Sequence, residues 1–110
     1  MLNQVVLVGR LVQTPEVTTT ESGKSMTYIT VAVPRSFKNA EGSYDTDFVD
    51  CVLWQAVAEN TCEYCKKGDI VGVKGRIQSR MIEEEDGNYK KMEVVAEKIT
   101  FLSSSKKEEE

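Results

Sequence analysis

The alternation of apolar and polar positions predicts five β-strands along the chain. The first run, VVLVGRLV, is nearly continuous in apolar residues and is interrupted by Gly9, where the missing side chain allows a bulge or a sharp bend. Later runs are rich in β-branched and aromatic residues or alternate with a period of two. The predicted strands cover residues 4–12, 26–33, 45–54, 70–77 and 92–102. A long hairpin between the second and third strands is predicted to turn at residues 39–42, since Pro34 weakens the pairing before it.

A change of period predicts one helix between the third and fourth strands. Ala58, Cys62 and Cys65 fall at helical spacing within residues 55–67, and Gly68 supplies the stop. The order of elements is therefore βββ-α-ββ, which is the order of the OB fold. Antiparallel sandwiches and SH3-like barrels compete with this interpretation, although their usual connections predict no helix at this point. The predicted fold class is all-β, a five-stranded OB-fold Greek-key barrel with one short helix between strands 3 and 4.

Length and composition fit a single domain. The chain has 110 residues, of which 40% are hydrophobic, and this suits one core with no room for a second. The OB-fold domain is predicted over residues 1–102, and residues 103–110, SSSKKEEE, are predicted to form a disordered polar and acidic tail. No apolar run is long enough to span a bilayer, and the N-terminus lacks the features of an export signal. We therefore expect a cytoplasmic protein that makes no membrane contact.

Charge and histidine content limit the chemistry that the chain can perform. With 14 basic and 18 acidic residues the formal net charge is -4, so a uniformly basic surface is excluded and any anion-binding face must be local. The chain has no histidine, which removes the usual general base and the commonest metal ligand. The four adjacent acids from Glu83 to Asp86 are predicted to form a solvated loop rather than a catalytic pair. We predict that the protein is not an enzyme and needs no cofactor.

The three cysteines are predicted to be reduced and to pack in the core. Cys62 and Cys65 form a C-x-x-C, a spacing that can hold zinc or perform redox chemistry. A zinc site needs about four nitrogen or sulfur ligands, which this chain does not offer. On one face of a helix with Ala58, free cysteines behave as small hydrophobes. We therefore predict neither a metal site nor a disulfide.

Three aromatic residues are candidates for stacking on nucleic-acid bases. Alternation along the third strand puts Phe48, Asp50, Val52 and Trp54 on one side and Val49, Cys51 and Leu53 on the other, where the core is expected. The alternative for Trp54 is that it caps the barrel end or packs under the helix. Phe37 lies at a hairpin end between polar neighbours and has little local apolar company. Tyr28 and Tyr64 are predicted to pack inside.

Cations near these aromatics would neutralise phosphates. The candidates are Arg10, Arg35, Lys38, Lys67, Lys74, Arg76 and Arg80. Lys74, Arg76 and Arg80 share one parity, which favours a stripe along the fourth strand. The alternative is that these are ordinary solvated positions, as most exposed cations are.

The ordered series LNQVVLVGRL, TPE, ITVAV, DFVDCVLW, AEN, YCKKGD and GRIQSR resembles the bacterial single-stranded DNA-binding protein family over roughly residues 1–102. The resemblance implies an OB fold that assembles as a homotetramer and coats single-stranded DNA at the nucleoid during replication, recombination and repair. It implies base stacking at Phe37, Phe48 and Trp54, and phosphate contacts at Lys38, Lys67 and Arg80. It also implies that the strand around residues 2–8 helps to build a subunit interface.

Several positions depart from the family pattern. Ile82 stands where an aromatic residue is common, and the adjacent acids from Glu83 to Asp86 would repel phosphate. Gln4 and Thr18 stand where cations are common. The acidic tip of longer members, which docks replication and repair proteins and ends in proline and phenylalanine, has no match in KKEEE. A competing hypothesis is therefore a primosome-like protein-interaction adaptor on an OB fold, with weak DNA binding.

Overall fold

The computed structural model describes residues 1–104 and places them in six β-strands and one α-helix. The elements are β1 (Val5–Leu11), β2 (Thr18–Thr19), β3 (Ser25–Lys38), β4 (Tyr44–Trp54), α1 (Gln55–Tyr64), β5 (Ile70–Glu84) and β6 (Gly87–Ser103). The strand β2 was not predicted and adds two residues to the edge of β3. Of the predicted tail, residue 103 belongs to β6, and residues 105–110 lie outside the described part of the chain.

The five long strands close into a barrel. Their order is β1-β5-β6-β4-β3, and a further pairing of β1 with β3 completes the ring. Neighbouring strands are antiparallel except β4 and β6, which form a short parallel pair. The helix follows the third long strand and precedes the fourth, as the sequence predicts. The predicted all-β OB fold is confirmed.

The barrel interior is filled by small and branched apolar side chains from all five strands. Cys51 and Leu53 of β4 are fully buried and Val49 packs against them, which confirms the predicted core side of that strand. Ala58 of α1 is also buried and joins the same cluster, so the helix closes one end of the barrel. Each fully buried valine, leucine or isoleucine in this cluster stabilises the fold by about 1.5 to 3 kcal/mol.

Two glycines stand where strands approach too closely for a side chain. A β-carbon on Gly9 would lie 2.7 Å from the carbonyl oxygen of Ala32, at the point where β1 begins to pair with β3. A β-carbon on Gly75 would lie 2.1 Å from the carbonyl oxygen of Val95, beside a register shift between β5 and β6. The sequence predicted a special backbone position at Gly9 but singled out nothing at Gly75.

The helix ends one turn earlier than predicted. It stops at Tyr64, and Cys65 is extended, with its N–H donating to the carbonyl of Thr61 at 2.9 Å. The buried carboxylate of Asp69 accepts the backbone N–H of Lys66 at 2.9 Å, which holds the following residues in a turn. The carboxylate of Asp69 thus takes a backbone N–H that a longer helix would use, and helical spacing in the sequence does not reveal this.

The predicted acidic loop is wrong for two of its four residues. Glu83 and Glu84 are the last residues of β5 and pair with Asn88 and Gly87, so only Glu85 and Asp86 form the turn. Gly87 has a φ of 132°, a conformation that favours glycine and allows the tight return. The two long strands therefore form an extended hairpin beyond the barrel.

The cysteines are free thiols, as predicted. Cys51 and Cys65 are buried and Cys62 is half-buried. Burial raises the pKa of all three thiols, and that of Cys51 reaches about 12, so thiolate chemistry is disfavoured at neutral pH. Within residues 1–104 no three potential metal-ligating side chains cluster at one point. None of the helical structure in that range has the length and apolar character needed to cross a membrane.

Candidate nucleic-acid interface

The outer side of β3 and β4 carries two of the three predicted stacking residues. Cross-strand pairing aligns Trp54 with Met26, Val52 with Tyr28, Asp50 with Thr30, and Phe48 with Ala32; we call this surface the β3–β4 face. Phe48 is 66% exposed and Trp54 is 38% exposed. The side assigned to these two aromatics by alternation is therefore correct. They are separated by about 20 Å along the extended strand.

The predictions for two tyrosines are wrong, and Val52 lies on the predicted side of β4 but is buried there. Val52, placed on the exposed side by alternation, is only 1% exposed although it lies outside the core cluster of the barrel. It pairs with Tyr28 on β3 and Val95 on β6, so it lies in mid-sheet with a paired strand on each side. Tyr28, predicted inside, is 47% exposed because it shares this side of β3 with Thr30. Tyr64, also predicted inside, is exposed at the end of α1.

The third aromatic, Phe37, projects from the far end of the β3–β4 hairpin and is 80% exposed. The register shifts between Pro34 and Lys38, as expected where proline cannot donate to the ladder. The hairpin turn is held by the side chain of Asn39, whose Oδ1 accepts the backbone N–H groups of Glu41 and Ser43 at 2.9 and 3.0 Å. Phe37 therefore stands on an ordered support rather than on an open loop.

The predicted cation at this hairpin, Arg35, is already paired. Its Nε and Nη2 donate to the two carboxylate oxygens of Asp47 at 3.0 and 2.8 Å, and Asp45 lies 3.9 Å away. The hydrogen bond raises the pKa of Arg35 and lowers the pKa of Asp47. Lys38, in contrast, lies over the ring of Tyr44, with its Nζ 5.9 Å from the centroid.

Arg80 is held by a buried acid. Its Nε donates to both carboxylate oxygens of Glu93 at 3.2 Å, and the side chain of Glu93 is only 2% exposed. This hydrogen bond is the main reason that the pKa of Arg80 is raised. The guanidinium also lies 6.0 Å from the ring centroid of Tyr28. Arg80 is thereby brought onto the β3–β4 face although it belongs to β5.

The three cations of the predicted stripe on β5 have different neighbours and do not share one surface. Arg76 pairs with Glu97 at 3.8 Å, with both side chains about half exposed. Lys74 pairs in register with Val6 of β1 and Lys98 of β6, on the barrel wall away from β3 and β4. Only Arg80 of the three reaches the β3–β4 face, so these cations do not line one groove with the aromatics.

Two other predicted cations approach the surface from neighbouring segments. Arg10 pairs in register with Ala32, which pairs with Phe48, so Arg10 lies in the same cross-strand row as that ring. Its Nη1 donates to the carbonyl of Gly68 at 2.8 Å. Lys67 lies in the turn after α1, where its backbone N–H donates to Oγ1 of Thr14 at 2.9 Å.

The residues that sequence reasoning missed are mainly acids that face the cations. Asp47, Glu93 and Glu97 hold Arg35, Arg80 and Arg76, and Asp50 binds Lys91 at 3.3 Å. The pairing of Arg35 with Asp47 had a signal, since both lie on adjacent strands of one predicted hairpin. The others had a weaker signal: Arg80 lies beyond the predicted end of its strand at residue 77, the Arg76–Glu97 pair follows a register shift between β5 and β6, and the Asp50–Lys91 pair depends on the contact of β4 with β6.

An open cleft adjoins Phe48 where β4 and β6 diverge. Its volume is about 470 Å³, and Phe48, Ile77 and Met92 give it an apolar lining. The rim carries Asp47, Asp50 and Glu93, three acids that are largely neutralised by the ion pairs described above. The cleft therefore offers apolar contact next to an exposed ring, without a free negative surface that would exclude a polyanion.

The burial of Glu93 beside Arg80 predicts a difference in stability between two arginine variants. Arg80→Met is expected to lower the free energy of unfolding clearly more than Arg76→Met, because removing Arg80 leaves the charge of Glu93 buried and unpaired. Arg76 and its partner are exposed, and their loss is expected to change stability by less than about 1 kcal/mol. Denaturant unfolding of both variants measures the difference. Adding Glu93→Gln to Arg80→Met should recover part of the loss, and equal effects of the two arginine substitutions would contradict the prediction.

Comparison of the sequence with known proteins identifies the family of the chain. Residues 2–102 match the family model described as the single-strand binding protein family. The chain is 48% identical over 109 residues to single-stranded DNA-binding protein B of Bacillus subtilis, which covers 98% of this chain and 96% of the relative. It is 46% identical over 105 residues to single-stranded DNA-binding protein 3 of Listeria innocua and to a single-stranded DNA-binding protein of Oceanobacillus iheyensis, covering 94% of this chain but only 66% and 65% of those relatives. The chain belongs to the single-strand binding protein family.

Proposed function

We propose that this protein binds and coats single-stranded DNA, largely without sequence specificity, during replication, recombination and repair. The observation that carries the proposal is the set of three exposed aromatic rings, Phe37, Phe48 and Trp54, on one continuous β-hairpin. Family membership and the names of the relatives support it. Every base has a π-face, so stacking on these rings does not depend on sequence.

The phosphates would be contacted by cations around this hairpin and the β3–β4 face. Lys38 lies beside Phe37 at the hairpin end, and Arg10 lies in the row of Phe48. Arg35 and Arg80 keep their carboxylate partners, but a guanidinium has five N–H donors, so three remain for a phosphate on Arg35 and four on Arg80. Because several charges are already compensated, we expect a moderate salt dependence rather than the steep one of an open basic groove.

The proposal gives three of the predicted cations a smaller role in phosphate contact: Lys67, Lys74 and Arg76. Lys67 lies in the turn after α1, Arg76 pairs with Glu97 between β5 and β6, and Lys74 lies on the barrel wall away from the β3–β4 face. They would contact a strand only if it continues around the barrel. The function is binding rather than catalysis, and the description of the matched family likewise names binding.

Assembly into a homotetramer is a second part of the proposal. Leu2, Val6 and Val8 expose large apolar surface on and next to the outer side of β1. A second copy of the chain would cover this surface, which the N-terminal strand presents in one row. Light scattering coupled to gel filtration measures the state directly. The predicted cytoplasmic, nucleoid-associated location and the docking of replication and repair proteins stay predictions.

The experiment that tests the function is a titration with poly-thymidine oligonucleotide at low and high salt. The chain has one tryptophan, so its emission reports on Trp54 alone. We expect submicromolar binding with quenching, weakened by salt. Absence of binding at low salt would overturn the proposal and favour the protein-interaction adaptor instead. A random-sequence oligonucleotide of equal length is the control for sequence tolerance.

A further inference from the structure

Tyr28 occupies the middle of the β3–β4 face, between the two aromatic residues of β4. Trp54 and Phe48 are about 20 Å apart along that strand, whereas Tyr28 pairs with Val52, about 7 Å from the row of Trp54. It is the aromatic residue that fills this gap on the same side of the sheet. A DNA strand that runs from one ring of β4 to the other must pass it.

The ring of Tyr28 contacts a side chain from a strand that is not adjacent to β3. The guanidinium of Arg80 lies 6.0 Å from its centroid, although β6 and β4 lie between β5 and β3 in the sheet. The two side chains therefore meet across β4 and β6, on the side of the sheet that also carries Val52 and Val95. Arg80 is itself fixed by the buried Glu93. Restricting the ring before binding lowers the entropy lost when a base stacks on it.

Tyr28 also borders an open space on its other side. A cleft of about 360 Å³ is lined by Tyr28 together with Gln13, Thr14, Pro15, Glu16, Thr18 and Thr27. The cleft therefore presents polar groups beside an aromatic ring that remains 47% exposed. Such a combination suits a planar base with hydrogen-bonding edges.

We propose that Tyr28 is an additional stacking platform for a base of single-stranded DNA, positioned by Arg80 and Glu93. The inference rests on the proposed function and deepens it. It assigns a binding role to a residue that the sequence alone predicted to be buried. It also gives Arg80 a role besides phosphate contact, since loss of Arg80 would free the ring.

The first test compares Tyr28→Leu with Tyr28→Phe in the full chain, by titration with poly-thymidine oligonucleotide. Tyr28→Leu is expected to weaken binding about tenfold or more, and Tyr28→Phe, which keeps the ring, to stay within about threefold of the unchanged protein. If the unchanged protein does not bind, the proposed function fails. If it binds and Tyr28→Leu binds equally well, only the inference on Tyr28 fails.

The second test does not depend on a change in affinity. In a Trp54→Phe, Tyr28→Trp double variant the only tryptophan stands at position 28. Binding of the oligonucleotide is expected to quench its emission, as stacking requires. Binding without quenching would overturn the inference even if Tyr28→Leu had weakened binding by disturbing the fold, and thermal unfolding of each variant identifies such a disturbance.

Discussion

Gly75→Ala is expected to destabilise the protein by about 3 kcal/mol or more, an effect large enough to prevent folding of a marginally stable domain. The new β-carbon would lie 2.1 Å from the carbonyl oxygen and 2.9 Å from the carbonyl carbon of Val95. These are backbone atoms of a strand that pairs on both sides, with Arg76 of β5 and Val52 of β4. Relief of the clash therefore requires a shift of β6 that disrupts one of the two pairings.

Gly72→Ala is the matched control on the same strand. A β-carbon there meets Cδ1 of Leu102 at 3.7 Å and Cβ of Thr100 at 3.8 Å, both ordinary contacts. Its effect on the free energy of unfolding is expected to stay within about 1 kcal/mol. Denaturant unfolding followed by circular dichroism measures both variants. If Gly75→Ala were as stable as Gly72→Ala, the close approach of β5 and β6 at this point would be refuted.

Some features of the fold could be predicted from local periodicity in the sequence, and others could not. Strand positions, the helix and the inward side of β4 follow from local periodicity, because Cys51 and Leu53 alternate with Phe48 and Trp54 at a period of two. The close approach at Gly75 does not follow, since it depends on a register shift between strands. The early end of α1 depends on a single side chain, Asp69, that competes for the backbone.

The candidate site also contains features that the sequence could predict and features that it could not. Alternation on β3 already separates Tyr28 from Ile29 and Val31, so its exposure had a signal in the sequence that the general tendency of tyrosine to pack inside obscured. The meeting of Tyr28 with Arg80 had none, because it requires the parallel pairing of β4 with β6. The ion pair of Arg80 with Glu93 had a partial signal, since the two residues flank the acidic turn, but Arg80 lies beyond the predicted end of its strand at residue 77.

Trp54→Ala is expected to weaken binding of single-stranded DNA about ten- to a hundredfold, because one stacked base contributes on the order of 1 to 3 kcal/mol. The ring is partly exposed on the β3–β4 face. Trp54 is also the residue before α1, but its side chain makes no capping hydrogen bond, so the helix should keep its start in the variant. Because part of the ring is buried, denaturant unfolding of the variant is measured beside binding, and the loss of affinity is expected in the folded variant.

Tyr64→Ala is the matched control, since it removes an exposed aromatic ring at the opposite end of the helix. We expect its affinity to stay within about twofold of the unchanged protein, because its ring faces the groove beside Phe101 rather than the β3–β4 face. Fluorescence anisotropy with a labelled oligonucleotide measures both variants without relying on tryptophan emission. Equal losses would show that any exposed aromatic on this barrel contributes, and that the β3–β4 face is not a distinct path for the strand. A loss at Trp54 alone would instead assign the path to that face, because the two rings differ in position while both are accessible to solvent.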